Sequence, residues 1–167
     1  YGESPKILKG QRDRLKNILT ENTRFGLSEF KDIGDHELME RDEFKEIKFL
    51  KTLQKNFYDQ LGTSGHGNHF VEMGYVVVQY FTPDLGLDPG EYFAILSHSG
   101  SRNFGSEIAK HYTEIAQKKL GITGEGARLA WLTLDSEEGQ EYWKAMTLAG
   151  DYSAANHRII HRKLAKA

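Results

Sequence analysis

Cysteine is absent from the 167 residues. Disulfides, thiolate metal ligands and a cysteine nucleophile are therefore excluded within the chain. No apolar run approaches the ~20 residues that a membrane-spanning helix needs. No charged stretch followed by an apolar one opens the sequence as a secretory signal would, so the cytosol is the expected compartment. Net charge is also scarce, at -2; no overall field draws the chain to nucleic acid, although a local basic path remains open. Lys and Arg gather in residues 6–16 and 158–166, and Asp and Glu in residues 29–46. Solvated helix faces account for clusters of this kind. The first residue is Tyr1 rather than methionine, which is expected of an excised or processed piece.

What the chain does contain is enough apolar sequence for one domain with a real core, residues 1–167. Ser4 and Pro5 suit a helix start, followed by Ile7, Leu8, Leu15, Ile18 and Leu19 at helical spacing. Residues 22–41 read as loop with short turns. Phe44, Ile47, Leu50, Leu53, Phe57 and Leu61 advance by three or four, the stripe of an amphipathic helix that Gly62 ends. Residues 70–80, rich in Val, Tyr and Phe, predict one long strand or a hairpin pivoting at Gly74; residues 92–97 predict a second strand. Turns fall at 83–86 and 88–90. A helix with Phe104, Ile108, Tyr112, Ile115 and Leu120 buried comes next, then a glycine-rich loop and a strand over 129–134. Asp135 has capping-box spacing to Glu138 and opens a last helix with Tyr142, Met146, Ala149, Tyr152, Ile159 and Leu164 inward, loosened at Gly150. The expected class is α+β, a mixed β-sheet with helices packed on it.

Two glycine-rich turns stand out, and each delivers a histidine to one sheet edge. The first carries Gly65, His66, Gly67, Asn68, His69, Phe70, Val71 and Glu72; the second carries His98, Ser99, Gly100, Ser101 and Arg102. Glycine permits positive φ and close approach to the backbone. Strand alternation places Asn68, Phe70 and Glu72 on one face and His69 on the other. Either these are ordinary turns with a hydrogen-bonded histidine and a serine-capped helix that leaves Arg102 exposed, or loop hydroxyls, free N–H groups and Arg102 form a phosphate cradle. Two strand-end imidazoles with a carboxylate and a guanidinium suggest a divalent metal acting on a phosphate. Two imidazoles fall short of the usual three or more protein ligands, and Glu72, Asp35, His36, His66 or residues outside this sequence are the candidates to complete them. His157 and His161 have the i, i+4 spacing of a metal pair but lack a Glu-x-x motif between them. In a basic helix they are expected on a solvated face.

The run from Asn68 to Glu72, the run from His98 to Arg102, and the segments 129–132, 135–139 and 149–152 together resemble the central part of an RtcB-type RNA ligase. The resemblance covers nearly the whole chain, least strongly before Asp42. It implies an RtcB-like α+β fold and an enzyme of RNA repair or tRNA splicing. Such a ligase joins RNA 3′-phosphate or 2′,3′-cyclic phosphate ends to 5′-hydroxyl ends, using GTP and two manganese ions. By this resemblance His69 and His98 each ligate one manganese, and Asn68, His69, Phe70, Val71 and Glu72 line the GMP. Asn68 then lies near its phosphate, Phe70 against the base and Glu72 at the guanine edge, while Arg102 holds an RNA phosphate. The family's bridging cysteine and neighbouring aspartate are expected upstream, and a further metal histidine and the guanylated histidine downstream. The piece alone is therefore expected to be inactive. His66 stands where relatives often carry a small residue, and Asn103-Phe104 replaces a Gly-Leu pair. The other readings are a non-catalytic binding or structural domain, and a small metal-dependent phosphoesterase using His69, His98 and Glu72.

Overall fold

A computed structural model of the chain describes residues 10–26 and 36–167. In order, its elements are α1 (Arg12–Asn22), a 3-10 turn (Glu37–Glu40), α2 (Glu43–Glu46), α3 (Lys48–Gln60), β1 (Phe70–Val78), a 3-10 turn (Pro83–Leu85), β2 (Gly90–His98), α4 (Phe104–Leu120), a 3-10 turn (Gly124–Leu129) and α5 (Glu137–Lys166). The α+β class is as expected. The helix start at Ser4 and Pro5 lies outside the described residues, as does much of the segment read as loop. Two compact units result. The first takes the described residues before 27 with Gly62–Ser99 and His157–Ala167; the second takes those from 36 to Leu61 with Gly100–Asn156.

In the first unit β1 and β2 form an antiparallel ladder with Phe70 opposite His98 and Val78 opposite Gly90. Gly74 pairs with Ala94 within it, so β1 is one continuous strand rather than a pivot. Parallel pairing, expected of a mixed sheet, is confined among the described residues to a single bridge, Phe25 to Gly65. Alternation sends Val71, Met73, Ile95 and Ser97 to one face. There Val71, Ile160 and Leu164 are buried together, and Ile18, Leu19, Met73 and Ile95 pack against them. One face of the hairpin is thus covered by α1 and the end of α5.

In the second unit the predicted stripe is buried at Phe44, Ile47, Leu50, Phe57 and Leu61. The helix expected to run through it breaks at Ile47, whose ψ of 106° is extended. In α4, Phe104, Ile108, Tyr112 and Ala116 are buried, Ala116 standing where Ile115 was expected. In α5 the buried residues of this unit are Ala145, Leu148, Ala149, Tyr152, Ala155 and Asn156, whereas Met146 is 42% exposed. Three of these six are alanines. Phe104 packs against Phe57 at 4.6 Å and Tyr152 at 5.5 Å between ring centroids. The buried Tyr152 hydroxyl donates to the Phe57 carbonyl at 2.6 Å, so its polar end is satisfied.

Residues 129–134 form no strand; Leu129 ends a 3-10 turn and Trp131 and Leu134 are well exposed. An apolar run without a ladder partner has nothing to hold it extended. The cap of α5 also falls one residue later than its spacing suggests: Ser136 Oγ accepts from the Gly139 N–H at 3.1 Å, and Glu138 instead pairs with Lys119 at 2.5 Å. The helix then runs 30 residues unbroken through Gly150.

These two helix glycines differ in kind. A Cβ at Gly139 would lie 1.9 Å from the Thr133 carbonyl oxygen, whereas one at Gly150 would meet nothing within 4 Å. Gly139→Ala is expected to cost about 1–3 kcal/mol by forcing backbone apart, and Gly150→Ala to add up to ~1 kcal/mol through helix propensity. Urea denaturation of both variants checks this; shifts of the same sign would contradict the packing described.

Candidate functional site

The first glycine-rich turn is pinned by the strand of residues that follows α1. Ser64 N–H donates to the Arg24 carbonyl at 2.8 Å and Gly26 N–H to the Gly65 carbonyl at 2.7 Å. Gly62, Gly65 and Gly67 take φ of 82°, 109° and 73°, a region that side chains with a Cβ rarely enter. The second turn is tied to the first by one side chain. Ser99 Oγ is within 2.9 Å of the Thr63 carbonyl and 2.6 Å of the Ser64 carbonyl. All three residues are fully buried.

That tie, together with the pairing of Phe70 and His98, brings the two predicted histidines together. The His69 and His98 rings lie 5.7 Å apart, and Phe70 stacks beside His98 at 5.8 Å with an interplanar angle of 24°. Phe70 and Glu72 share the face of His98 in the ladder register. Asn68, Phe70, Glu72 and His98 are exposed and His69 is half-buried. Val71 points the other way, into the core with Ile160 and Leu164, so only its backbone is available to a ligand. His69 precedes the strand, and alternation does not force it to the opposite side.

The end of this hairpin therefore offers an aromatic face, a carboxylate and two imidazoles to solvent. An aromatic ring can stack on a base, and a carboxylate can accept from its N–H edge. Neutral imidazoles are ligands for divalent metals. Among the described residues no group of three or more His, Asp or Glu is placed to hold a metal. His66 is exposed nearby. His36 is occupied elsewhere, its Nδ1 accepting from the Leu38 N–H at 3.2 Å, and Asp35 lies outside the described residues. The donor set thus fits part of a metal shell, with further ligands needed to close it.

Arg102 belongs to the second unit. It is only 5% exposed, which contradicts the reading of it as a surface arginine beyond a capped helix. Ser101 Oγ accepts from the Gly105 N–H at 2.9 Å, but the residue in the cap position is Asn103, whose side chain makes no capping hydrogen bond. Arg102 and Asn103 take φ of 52° and 73°; asparagine tolerates this region, and arginine does so at a cost of order 1 kcal/mol. Burial lowers the Arg102 pKa, yet a guanidinium stays charged throughout the physiological range.

His157 and His161 are not on a solvated face. Ser97 Oγ lies 2.6 Å from His157 Nδ1 and 2.9 Å from His161 Nε2. The reason is the stripe they flank: Ile160 and Leu164 dock on the inner face of the hairpin, and residues three or four apart on a helix share a side. Burial first, then the charges of His161 and His98, lower the His157 pKa. The i, i+4 spacing of the pair was visible in the sequence, but not that both rings meet Ser97.

Fold and site together define an α+β chain whose hairpin end gathers paired imidazoles, an aromatic ring and a carboxylate. The family model described as tRNA-splicing ligase RtcB matches residues 2–167, and the chain belongs to that family. It is 31% identical over 162 residues to the tRNA-splicing ligase RtcB of Methanococcus maripaludis, covering 89% of this chain and 33% of that protein. It is 33% identical over 172 residues to the protein of the same name from Methanocaldococcus jannaschii, covering 94% of this chain and 17% of that one. With the Thermococcus kodakarensis protein of that name it shares 36% identity over 107 residues, 60% of this chain and 22% of the relative. The chain spans about a third or less of the length of these relatives.

Removing the tie between the turns tests how much the site depends on it. Ser99→Ala removes the single hydroxyl proton that these two buried carbonyls share, an expected loss of about 1–3 kcal/mol, measured by thermal or urea unfolding. Unchanged stability would mean that the turns are held together by other contacts.

Proposed function

We propose that this chain contributes half of the metal site and part of the nucleotide pocket of an RNA ligase. The full-length protein, on this reading, joins RNA 3′-phosphate or 2′,3′-cyclic phosphate ends to 5′-hydroxyl ends with GTP and two manganese ions. The observation that carries it is the meeting of His69 and His98 at 5.7 Å beside Phe70. Family membership and the relatives' names, tRNA-splicing ligase RtcB, point the same way. RNA ends, whether tRNA halves or broken RNA, are the substrates we assign.

In this reading His69 and His98 each give an imidazole to one manganese ion. When bound, such ions neutralise charge on a transferring phosphoryl group and orient the attacking oxygen. Exposed Phe70 supplies a surface for the guanine ring, Glu72 accepts from the guanine edge, and Asn68 donates to the guanylate phosphate. Val71 contributes through its backbone. Arg102, held charged and in a strained backbone conformation, is the RNA-phosphate ligand of the second unit. The bridging cysteine and the guanylated histidine have no counterpart among these residues, so the isolated chain is read as inactive. No helix of the described residues is long and apolar enough to cross a membrane, and we assign the protein to the cytosol.

The test is calorimetric titration of manganese into the purified chain and into a His69→Ala/His98→Ala variant, with circular dichroism as the check on folding. Weak binding by the chain that disappears in the folded variant, with no GMP transferred from radiolabelled GTP, is expected. Equal affinity in both proteins, or stable covalent GMP on the isolated chain, would overturn the reading.

A further inference from the structure

The histidine pair at the end of α5 plays no part in that proposal. Ser97 and His98 are neighbours in β2 but face opposite ways, His98 to the open side with Phe70 and Ser97 to the covered side with Val71. On the covered side two ring nitrogens from successive helical turns, His157 Nδ1 and His161 Nε2, approach the same hydroxyl at 2.6 and 2.9 Å. The three side chains are half-buried. A single hydroxyl between two imidazoles donates its one proton to one ring and accepts an N–H from the other. The nitrogens therefore converge on one point without any carboxylate to hold them.

We propose that Ser97, His157 and His161 form a separate binding site for an imidazole-preferring divalent transition metal, such as nickel, copper or zinc. Two histidines at i, i+4 on one helix side are a spacing that places both rings on one ion. The ion takes the lone pairs of both rings, which needs a tautomer change in the ring that otherwise donates. The Ser97 hydroxyl and water complete the coordination. No carboxylate is in the set, and exposed Arg158 and Arg162 lie on the same helical turns. Hard, oxygen-seeking ions such as manganese or magnesium are therefore poor occupants, while nitrogen donors suit nickel, copper and zinc. The proposal stands whether or not the hairpin's open end binds manganese, because it rests on other residues on the opposite face.

The experiment titrates nickel chloride by calorimetry into the His69→Ala/His98→Ala variant, which removes the imidazoles of the open end, and into the same variant carrying His157→Gln or His161→Gln. Each histidine-to-glutamine change is expected to weaken nickel binding by at least about tenfold. No nickel binding by the folded His69→Ala/His98→Ala variant, or an affinity untouched by either glutamine change, would overturn the site. In a second measurement copper(II), added in substoichiometric amounts to the His69→Ala/His98→Ala variant, is expected to broaden the imidazole proton resonances of His157 and His161 first. Broadening that begins at exposed His66 would refute it.

Discussion

The hydroxyl of Ser99 is the contact on which the arrangement of the first unit turns. One buried oxygen serves the carbonyls of both Thr63 and Ser64, the residues that open the first glycine-rich turn. Its one proton is shared between the two carbonyls, and removing a donor from a fully buried loop costs free energy. With that contact, the end of β2 cannot drift from the start of β1. The ladder register alone would bring Phe70 opposite His98. The serine extends that constraint one residue past the strand, into the turn that carries His69.

Glycines and the residues after α1 complete the same device. Three positive-φ glycines let the loop from 62 to 67 fold tightly enough that Ser64 and Gly65 reach residues 24 and 26 through backbone hydrogen bonds. The consequence is a site assembled from stiff parts. Its aromatic, carboxylate and imidazole groups stand at the end of a paired hairpin rather than on an untethered loop, which limits the entropy lost when a ligand binds. In the same neighbourhood the buried hydroxyls of Thr23 and Ser64 have no partner among the described residues. They mark where the polar requirements of this tight packing are least completely met.

Much of this was legible in the sequence, because strong periodicity reports local structure directly. The stripe from Phe44 to Leu61 predicted its buried residues apart from Leu53, which is half-buried, and missed the break at Ile47. The two strands, their turns and the convergence of His69 and His98 followed from β-branched runs flanking glycine. Errors came where the deciding partner is distant. Residues 129–134 had strand-like composition but no neighbouring strand. The inward face of α5 was misjudged at Met146, while buried Ala145 and Ala155, which carry little hydrophobic signal, were missed. Arg102 could be read as exposed or as a ligand, and only packing shows it to be buried. The pairing of His157 and His161 with Ser97 spans some sixty residues of sequence, a separation at which spacing rules say nothing.

Three consecutive residues show how the chain concentrates its work. Ser97, His98 and Ser99 follow one another, and extended backbone turns successive side chains to opposite sides. Ser97 meets the imidazoles of α5 on the covered face, His98 joins His69 and Phe70 on the open face, and Ser99 turns back to the carbonyls of the first glycine turn. A shift of one residue in the pairing of β1 and β2 would exchange all of these environments at once. It would bury an imidazole against Ile160 and Leu164 and expose the serine that now holds the turns together. The core contacts of Val71 and Met73 therefore do more than stabilise the unit. By fixing the register they decide which of these side chains faces solvent, and so whether a candidate site exists at the hairpin's end.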